Sequence, residues 1–393
     1  MNAPLKQRTT QQLGHSNSLA VFNEVLFDAP VPRADIAKRT NLTATSVSRI
    51  TRQLIDAGLV EEFEVHKTGR PGRQSINLRL KQDGGYVIGI SINAFEQRIA
   101  LANLERAIIA ETALPRDVLD PKRAAKIAAG EVKALLRKHR IERGRVFGIG
   151  MANAGVVDPE KNVVVRAPTL GWHDVSLGRE IEKELAIPVR MNNLAGAIAA
   201  AEHRFGIARK LRNFIVVHTT LGIGMCMVVD GRALHGHLNQ AGLIGEIPIQ
   251  TQRWVELDAV SGGTAMVRKW LSDRDPSILE TPIRRSHLEE LAQAVRQGDQ
   301  KAIAACDEGS KQLGGLIVTL AAALSSEAVL FVGPLMQIEQ YRSRVEAMLR
   351  DALSARRSVE VIFSERRGVE AAYMLAISEL ATTGAHLEQL LRR

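Results

Sequence analysis

The residue types best suited to reading nucleic acid lie in one short stretch near the N-terminus. Between residues 43 and 57, Val47, Ile50 and Leu54 recur at helical spacing and predict a helix with one buried face. Small polar side chains at the start of such a helix can approach base edges, and arginine can reach guanine or a phosphate. The candidate contacts on the remaining positions are Thr45, Ser46, Ser48, Arg49 and Arg52. We therefore predict that this helix contacts double-stranded DNA.

A second basic group follows in the loop HKTGRPGR at 66–73, which carries Lys67, Arg70 and Arg73. Pro71 holds the backbone extended and the glycines leave it open, so the segment can enter a minor groove or contact phosphates. Strands predicted at 60–63 and 75–80 flank this loop. The loop is therefore expected to be the tip of a wing that adds to DNA binding.

The elements that position these side chains follow from apolar spacing and from capping residues. Helices are predicted at 18–28, 34–40 and 44–57, with Thr43 as the N-cap of the third helix and Gly58 as its end. Residues 1–16 are polar and predict a flexible arm, so we expect a winged helix-turn-helix domain over 17–82. The alternative is a small helical protein-interaction module with a solvated basic face; the order of helices, hairpin and basic tip favours DNA.

The charge distribution points the same way. The first 81 residues hold twelve Lys/Arg and seven Asp/Glu, which is a net charge of +5 out of +9 for the whole chain. A basic terminal domain indicates a nucleic-acid partner. Charge alone fits a merely solvated basic surface equally well.

Composition sets broader limits. The 393 residues are 45% hydrophobic and 24% charged, which is typical of a globular protein rather than a disordered one. The two cysteines, Cys226 and Cys306, form no CxxC pair, which favours a reducing cytoplasm. The N-terminus has no apolar signal segment, and the longest apolar stretch, 313–336, is interrupted by Ser-Ser-Glu at 325–327. We expect neither secretion nor a membrane span.

A different pattern begins after residue 82. Strands alternate with helices, which predicts an α/β fold, and the two halves of this region are loosely similar. The predicted strands are 86–93, 98–104, 107–112, 146–152, 213–219, 224–229, 328–332 and 359–363, and the predicted helices are 121–139, 194–205, 288–324 and a closing C-terminal helix.

Several short motifs in this region resemble the ROK family, which is named for repressors, open reading frames and sugar kinases. The motifs are APTLGW at 167–172, NN at 192–193, AAE at 200–202, LGIG at 221–224, AG at 241–242 and GEI at 245–247. The resemblance implies a two-lobed actin-like ATPase (ribonuclease H-like) fold over 83–393, serving as an effector and oligomerisation domain. Family members with a DNA-binding module are transcriptional regulators.

The sequence departs from the kinase branch of this family at two places. Where kinases carry a DxGGT phosphate loop, this chain has SINAF at 91–95, without the aspartate or the glycine pair. Where kinases carry an Asn-Asp pair whose aspartate is the base, this chain has Asn192 and Asn193. A carboxamide cannot take a proton from a sugar hydroxyl at neutral pH. We therefore expect no enzymatic activity, and neither ATP nor any other cofactor.

The family's zinc pattern is also missing. A histidine is expected three residues after Glu246, but Ile249 stands there, and the segment 248–260 contains no cysteine. We expect no metal, with Ile249, Trp254 and Val255 packing in its place. His235 and His237 are expected to be surface or hydrogen-bonding residues rather than metal ligands.

The resemblance still implies a ligand cleft between the lobes. The expected contacts to a sugar or sugar derivative are Gly155, Thr169, Asn192, Asn193 and Glu246. The alternative is a vestigial cleft, in which Asn193 and Glu246 only cap helices or fix turns. Thr219, Thr220, Gly222 and Gly224 match a second phosphate loop, but without the first loop a tight hairpin turn is the favoured interpretation.

These predictions together favour a DNA-binding regulator, in particular a repressor of carbohydrate uptake or catabolism genes that releases or binds its operator in response to a sugar. It is expected to act as a homodimer or homotetramer. Two alternatives remain open: a regulator controlled by a protein partner, with a vestigial sugar cleft, and a sugar kinase that carries a regulatory module.

Overall fold

The N-terminal helices end where the sequence supplies capping groups. The structure is a computed structural model that describes residues 10–64, 76–353, 359–384, 387 and 391. Helix α1 spans Thr10–Asp28, α2 spans Arg33–Thr40 and α3 spans Ala44–Asp56. As predicted, Thr43 caps α3, because its Oγ1 accepts a hydrogen bond from the backbone N–H of Ser46 at 3.2 Å. Gly58, at a φ of +69°, takes the left-handed conformation that turns the chain into the wing.

Helix α1 begins eight residues before the predicted start at residue 18. The part of the predicted arm that the structure describes, 10–16, is therefore helical. Contacts distant in sequence hold this region, since His15 Nε2 lies 3.2 Å from the carbonyl oxygen of Thr383. The predicted arm is thus wrong over 10–16, and residues 1–9 lie outside the described part of the chain.

A small antiparallel sheet completes the N-terminal domain. Its strands are β1 (Val31–Pro32), β2 (Val60–Glu64) and β3 (Ile76–Leu80), in the order β1-β3-β2. The helices pack on it through Phe22, Ile36, Val47, Ile50 and Leu54, all fully buried. The winged helix-turn-helix prediction is confirmed.

The first lobe is built on a five-stranded sheet in the order β11-β7-β4-β5-β6, with a small antiparallel sheet β10-β9-β8 beside it. Strands β4, β7 and β11 run parallel, so their carboxyl ends meet at one edge. The strands are β4 (Tyr86–Ile92), β5 (Gln97–Asn103), β6 (Ile108–Ala113), β7 (Val146–Asn153), β8 (Val156–Asp158), β9 (Val163–Ala167), β10 (Trp172–Val175) and β11 (Val189–Asn193). The helices of this lobe are α4 (Ala124–Lys138), α5 (Leu177–Leu185) and α6 (Leu194–Phe205).

The second lobe has a sheet in the order β14-β13-β12-β17-β18, and a two-stranded hairpin β15-β16 lies apart from it. The strands are β12 (Phe214–Thr219), β13 (Ile223–Val229), β14 (Arg232–Ala233), β15 (Pro248–Gln250), β16 (Trp254–Glu256), β17 (Ala328–Val332) and β18 (Glu360–Ser364). The helices are α7 (Asp258–Ser261), α8 (Gly263–Leu271), α9 (Arg285–Arg296), α10 (Gln300–Ala323) and α11 (Glu339–Leu353).

One long helix predicted at 288–324 is two helices in the structure. Gly298 adopts a φ of +81°, and Asp299 then caps α10 by accepting hydrogen bonds from the N–H groups of Lys301 and Ala302. The sequence prediction overlooked this stop because apolar residues continue on both sides of it.

Helix α12 (Gly368–Thr383) carries the chain back onto the first lobe. It packs so closely on the sheet that only glycine fits beneath it: a Cβ on Gly150 would lie 1.7 Å from the carbonyl oxygen of Ala372. Buried residues of α6 and α12 form one continuous core with those of the winged helix-turn-helix domain. Two α/β lobes behind a winged helix confirm the predicted fold, while a domain boundary at residue 82 stays a prediction.

The hairpin that replaces the expected zinc segment packs only in part. Ile249 and Val255 are cross-strand partners and half-buried, but the Trp254 side chain is 67% exposed. The prediction that Trp254 packs in place of a metal is therefore wrong. It lies on the outer face because its neighbour Val255, which alternates with it along the strand, takes the inward position.

No helix in the described part of the chain is both long and apolar enough to cross a membrane.

Candidate nucleic-acid interface and ligand cleft

The outer face of α3 carries most of the predicted DNA contacts. Thr45, Ser48, Arg49 and Arg52 are exposed, and their spacing of three and four residues places them on one side of the helix. Arg52 pairs with Asp56 at 3.2 Å, yet its side chain is 78% exposed. This pair is therefore weak and leaves the guanidinium available to a phosphate.

Ser46 differs from its neighbours. It is half-buried, and its Oγ accepts a hydrogen bond from the Thr43 hydroxyl at 3.0 Å. Ser46 therefore belongs to the capping network that begins α3. The wing residues Lys67, Arg70 and Arg73 lie outside the described residues, so their role stays a prediction.

A cavity of about 140 Å³ lies between the two lobes. The first lobe supplies one wall from the carboxyl ends of its parallel strands, where Asn93, Asn153 and Asn193 fall side by side. Ligands in open α/β sheets bind outside this end of the strands. The second lobe supplies the opposite wall, which includes His218, Thr220, Gly222, Glu246 and Asp258.

Four of the five predicted ligand contacts line this cavity, namely Gly155, Thr169, Asn193 and Glu246. Asn192 instead borders an adjoining small cavity, and its Oδ1 accepts a hydrogen bond from the Asn193 N–H at 2.8 Å. It differs from Asn193 because neighbouring residues of a strand point to opposite faces. The part that each of the five plays in ligand binding stays a prediction.

Asn193 also performs the structural role that the sequence left open. Its Oδ1 accepts a hydrogen bond from the Gly196 N–H at 2.7 Å, which makes it the N-cap of α6. A ligand that contacts Asn193 would therefore act directly on the end of a helix.

Glu246 is paired across the cleft. Arg166 of β9, in the first lobe, donates through Nη2 to both carboxylate oxygens of Glu246 at 2.6 Å. The hydrogen bond that Arg166 donates to the Glu246 carboxylate raises the pKa of Arg166 above its usual range. Both side chains are about one third exposed, so the pair is a modest link between the lobes.

Asp258 is a buried carboxyl in the second-lobe wall. Burial raises its pKa from 3.8 to about 6, although its Oδ1 accepts a hydrogen bond from the Ile223 N–H. The charges of Glu246 and Glu256 contribute to this rise in pKa. Burial therefore destabilises the ionised form of Asp258, and a hydrogen bond donated by a ligand hydroxyl would stabilise it.

The loop after β4 uses its own backbone N–H groups in internal hydrogen bonds. Asn93 Oδ1 accepts hydrogen bonds from the backbone N–H groups of Phe95 and Glu96 at 2.9 and 2.8 Å. These are the groups that an open loop would offer to a phosphate. The Glu96 carboxylate, which accepts a hydrogen bond from Ser91 at 3.1 Å, adds an acid where an anion would have to sit.

The opposite loop is a tight hairpin turn. Thr219 pairs with Ile223 across β12 and β13, and the Thr220 N–H donates to the Gly222 carbonyl oxygen at 2.9 Å. Burial lowers the pKa of His218 to about 4, so this ring is neutral at pH 7. In the described residues, no three His, Cys, Asp or Glu side chains cluster closely enough to hold a metal ion.

Sequence reasoning missed four cleft residues: Asn153, Arg166, His218 and Asp258. Asn153 had a usable signal, because it is the polar residue that ends a buried strand. Arg166 had none, since its partner Glu246 lies 80 positions away.

The structure thus joins a winged helix-turn-helix domain to a two-lobed α/β fold with a polar cleft between the lobes. Residues 17–61 match a winged helix-turn-helix DNA-binding family. Residues 87–377 match the ROK family, and the chain belongs to that family.

The chain is similar to several repressors. It is 27% identical over 237 residues to the xylose repressor of Caldicellulosiruptor bescii, covering 60% of this chain and 59% of that one. It is 25% identical over 241 residues to the Escherichia coli DNA-binding transcriptional repressor Mlc, covering 61% and 59%. The chain thus spans about three fifths of the length of these relatives.

Two solved structures share the fold. A ROK family transcriptional regulator, described as a homologue of the E. coli Mlc protein, superposes with a TM-score of 0.76 at 22% identity over 97% of this chain and 100% of that one. A ROK glucokinase from Streptomyces griseus, in complex with glucose and AMPPNP, gives 0.59 at 21% identity over 76% and 100%. The second match covers less of this chain than the first.

Proposed function

We propose that this protein is a sequence-specific DNA-binding repressor of carbohydrate uptake or catabolism genes, controlled by a sugar or sugar derivative in the interlobe cleft. The observation that carries the proposal is helix α6, which begins at the cleft and ends against the DNA-binding domain. Its N-cap, Asn193, lines the cavity. The ring of its last residue, Phe205, lies 5.6 Å from the ring of Phe27 in α1.

The DNA-binding half of the proposal rests on α3. Its exposed face presents Arg49 and Arg52 together with the small polar residues Thr45 and Ser48, which suits entry into a major groove. The protein acts as a homodimer or homotetramer, so that two recognition helices reach two half-sites of the operator. Two relatives of this chain carry the names of repressors.

The cleft half of the proposal rests on what it offers a ligand. Amide groups on one wall face the carboxylates of Glu246 and Asp258 on the other, and such groups suit the hydroxyls of a polyol. The closed loop at Asn93 and the amide at position 193 argue against phosphoryl transfer. The cleft therefore serves as a sensor rather than as an active site.

The ligand cleft and the DNA-binding domain are coupled because helix α6, which joins them, is stiff. Twelve residues of helix reach about 18 Å, and α6 and α12 share one core with the winged helix-turn-helix domain. A ligand that closes or opens the lobes shifts α6, and the shift changes the spacing of two recognition helices in the oligomer.

The test has two parts. Fluorescence anisotropy with genomic fragments at low ionic strength should reveal tight binding that weakens steeply with salt. Calorimetry against a sugar panel, including glucose, xylose and N-acetylglucosamine, should give heat with one member, and that sugar should alter operator binding. Failure to bind any fragment would refute the proposal. Transfer of phosphate from ATP to any of these sugars would revive the kinase alternative.

A second candidate is a repressor controlled by a protein partner. Leu238 and Trp254 of the second lobe are 65% and 67% exposed, and exposed apolar residues are typical of protein contacts. Silence across the whole sugar panel, together with intact operator binding, would favour this candidate.

A further inference from the structure

One residue of the cleft has polar groups that the fold does not use. Asn153 ends β7 and is fully buried. Neither its Oδ1 nor its Nδ2 has a hydrogen-bond partner among the residues that the structure describes. Asn153 also borders the interlobe cavity.

Such a residue needs an explanation, because buried polar groups in folded proteins are nearly always paired. Asn103 shows the ordinary case in the same lobe. It is also fully buried, but its Nδ2 donates to the Gln82 carbonyl oxygen and its Oδ1 accepts from the Ala107 N–H. Asn103 thus stabilises a turn, whereas Asn153 contributes nothing comparable to the fold.

The asparagines next to Asn153 on the adjacent strands differ from it, because both use their side-chain oxygens within the fold. Asn193 is its direct partner in the register of β11, and Asn93 follows Ile92, its partner in β4. Asn193 uses its oxygen to cap α6, and Asn93 uses its oxygen to close its own loop. Of these three amides at the strand ends, Asn153 alone keeps both edges of its carboxamide unpaired within the described residues.

We propose that Asn153 selects the ligand of the cleft by pairing both edges of its carboxamide with one neutral ligand group that donates and accepts hydrogen bonds together. Adjacent hydroxyls of a sugar have this chemistry, because one can donate to Oδ1 while its neighbour accepts from Nδ2. The N–H and C=O of a trans acylamino group point in opposite directions and cannot pair with both edges at once. The inference rests on the proposed function, since it requires a ligand in this cleft.

The charges around the cavity favour a neutral group over an anion at this position. Glu246 and Asp258 line the same cavity. Among the residues that the structure describes, no lysine or arginine lines this cavity, and the nearby Arg166 is paired with Glu246.

The first measurement is calorimetry on wild type and on Asn153→Leu, which keeps the size of the side chain and removes both hydrogen-bonding edges. The probes are D-glucose, D-xylose, N-acetyl-D-glucosamine and glucose 6-phosphate. We expect the variant to lose at least tenfold in affinity for the probe that wild type binds. All four probes carry adjacent hydroxyls, so a loss of affinity in the variant for whichever probe wild type binds supports this pairing; preference for glucose 6-phosphate over glucose would overturn the inference.

The second measurement is thermal unfolding without ligand. Asn153→Leu should unfold at the same temperature as wild type or higher, because it removes an unpaired buried amide. The matched control, Asn103→Leu, should unfold at a lower temperature and keep the ligand affinity of its folded fraction. A clear loss of stability in Asn153→Leu would make Asn153 a structural residue and overturn the inference.

The outcomes separate the two proposals. If wild type binds a probe and Asn153→Leu binds it equally well, only the inference about Asn153 fails. If wild type binds none of the probes, the proposed sugar-responsive function fails, and the inference fails with it.

Discussion

Replacing Asp258 with asparagine should stabilise the protein at neutral pH. The carboxyl lies in the cleft wall, and its pKa is raised from 3.8 to about 6, mainly by burial and in part by the charges of Glu246 and Glu256. Asparagine keeps an oxygen that can accept from the Ile223 N–H, now at 2.7 Å, and carries no charge to bury. The variant should therefore retain the local structure and lose the electrostatic penalty.

The size and sign follow from the two pKa values of Asp258. Below pH 3.8 the carboxyl is protonated in both the folded and the unfolded chain, so it imposes no penalty. As the pH rises through 4 to 6, the unfolded chain ionises while the folded chain retains its proton, and stability falls. The two-unit difference in pKa corresponds to about 3 kcal/mol in full, and roughly half of that falls between pH 5 and 7.5.

The assay is urea unfolding of wild type and Asp258→Asn at pH 5 and at pH 7.5. The stability advantage of the variant should grow by about 1 kcal/mol between the two pH values. Asp299 is the matched control, because its pKa is lowered to about 2 by hydrogen bonding at the start of α10. Asp299→Asn should not become more stable than wild type as the pH rises. An advantage of Asp258→Asn that stays constant with pH would refute the reasoning.

Three further predictions concern the operator and the coupling. Arg49→Ala should weaken operator binding by about 1–3 kcal/mol, while circular dichroism shows an unchanged fold; unchanged anisotropy titrations would contradict it. Phe205→Leu removes a ring contact with Phe27 worth about 0.5–1.5 kcal/mol, so ligand should alter operator affinity about two- to tenfold less, with ligand affinity itself preserved. Arg166→Met frees Glu246, and ligand affinity measured by calorimetry should rise up to about fivefold at low salt; a fall would mean that Arg166 itself contacts the ligand.

Local signals in the sequence predicted much of the fold. Helix α6 was predicted at 194–205 and spans Leu194–Phe205, because Asn193 is a strong N-cap and Gly206 follows the last turn. The start of α1 was missed because residues 10–17 have no apolar periodicity. This part of the helix instead contacts the C-terminal helix, where His15 Nε2 lies 3.2 Å from the Thr383 carbonyl oxygen.

The cleft was predictable only in part. Glycines, amides and the Glu246 motif are local patterns, so they could be read along the chain. Partners of these residues could not be read, since Arg166 and Asp258 come from strands and helices whose packing the sequence does not state. An unpaired side chain such as Asn153 is defined by what surrounds it, which only a folded structure reveals.

The two ends of the molecule are joined by more than one helix, and this bears on how a ligand signal travels. Arg204, beside Phe205 on α6, lies 4.4 Å from the Phe27 ring. Asp28, at the end of α1, lies 3.0 Å from Arg39 of the helix that precedes the recognition helix. A shift of α6 therefore acts on Phe27, and the next residue of α1, Asp28, contacts α2. This route does not involve the wing. Because packed contacts of this kind shift as units rather than stretch, a change of lobe angle would reorient the whole winged helix-turn-helix domain. In the proposed dimer or tetramer, a ligand would thus control the spacing of the recognition helices and leave the base contacts of each one intact.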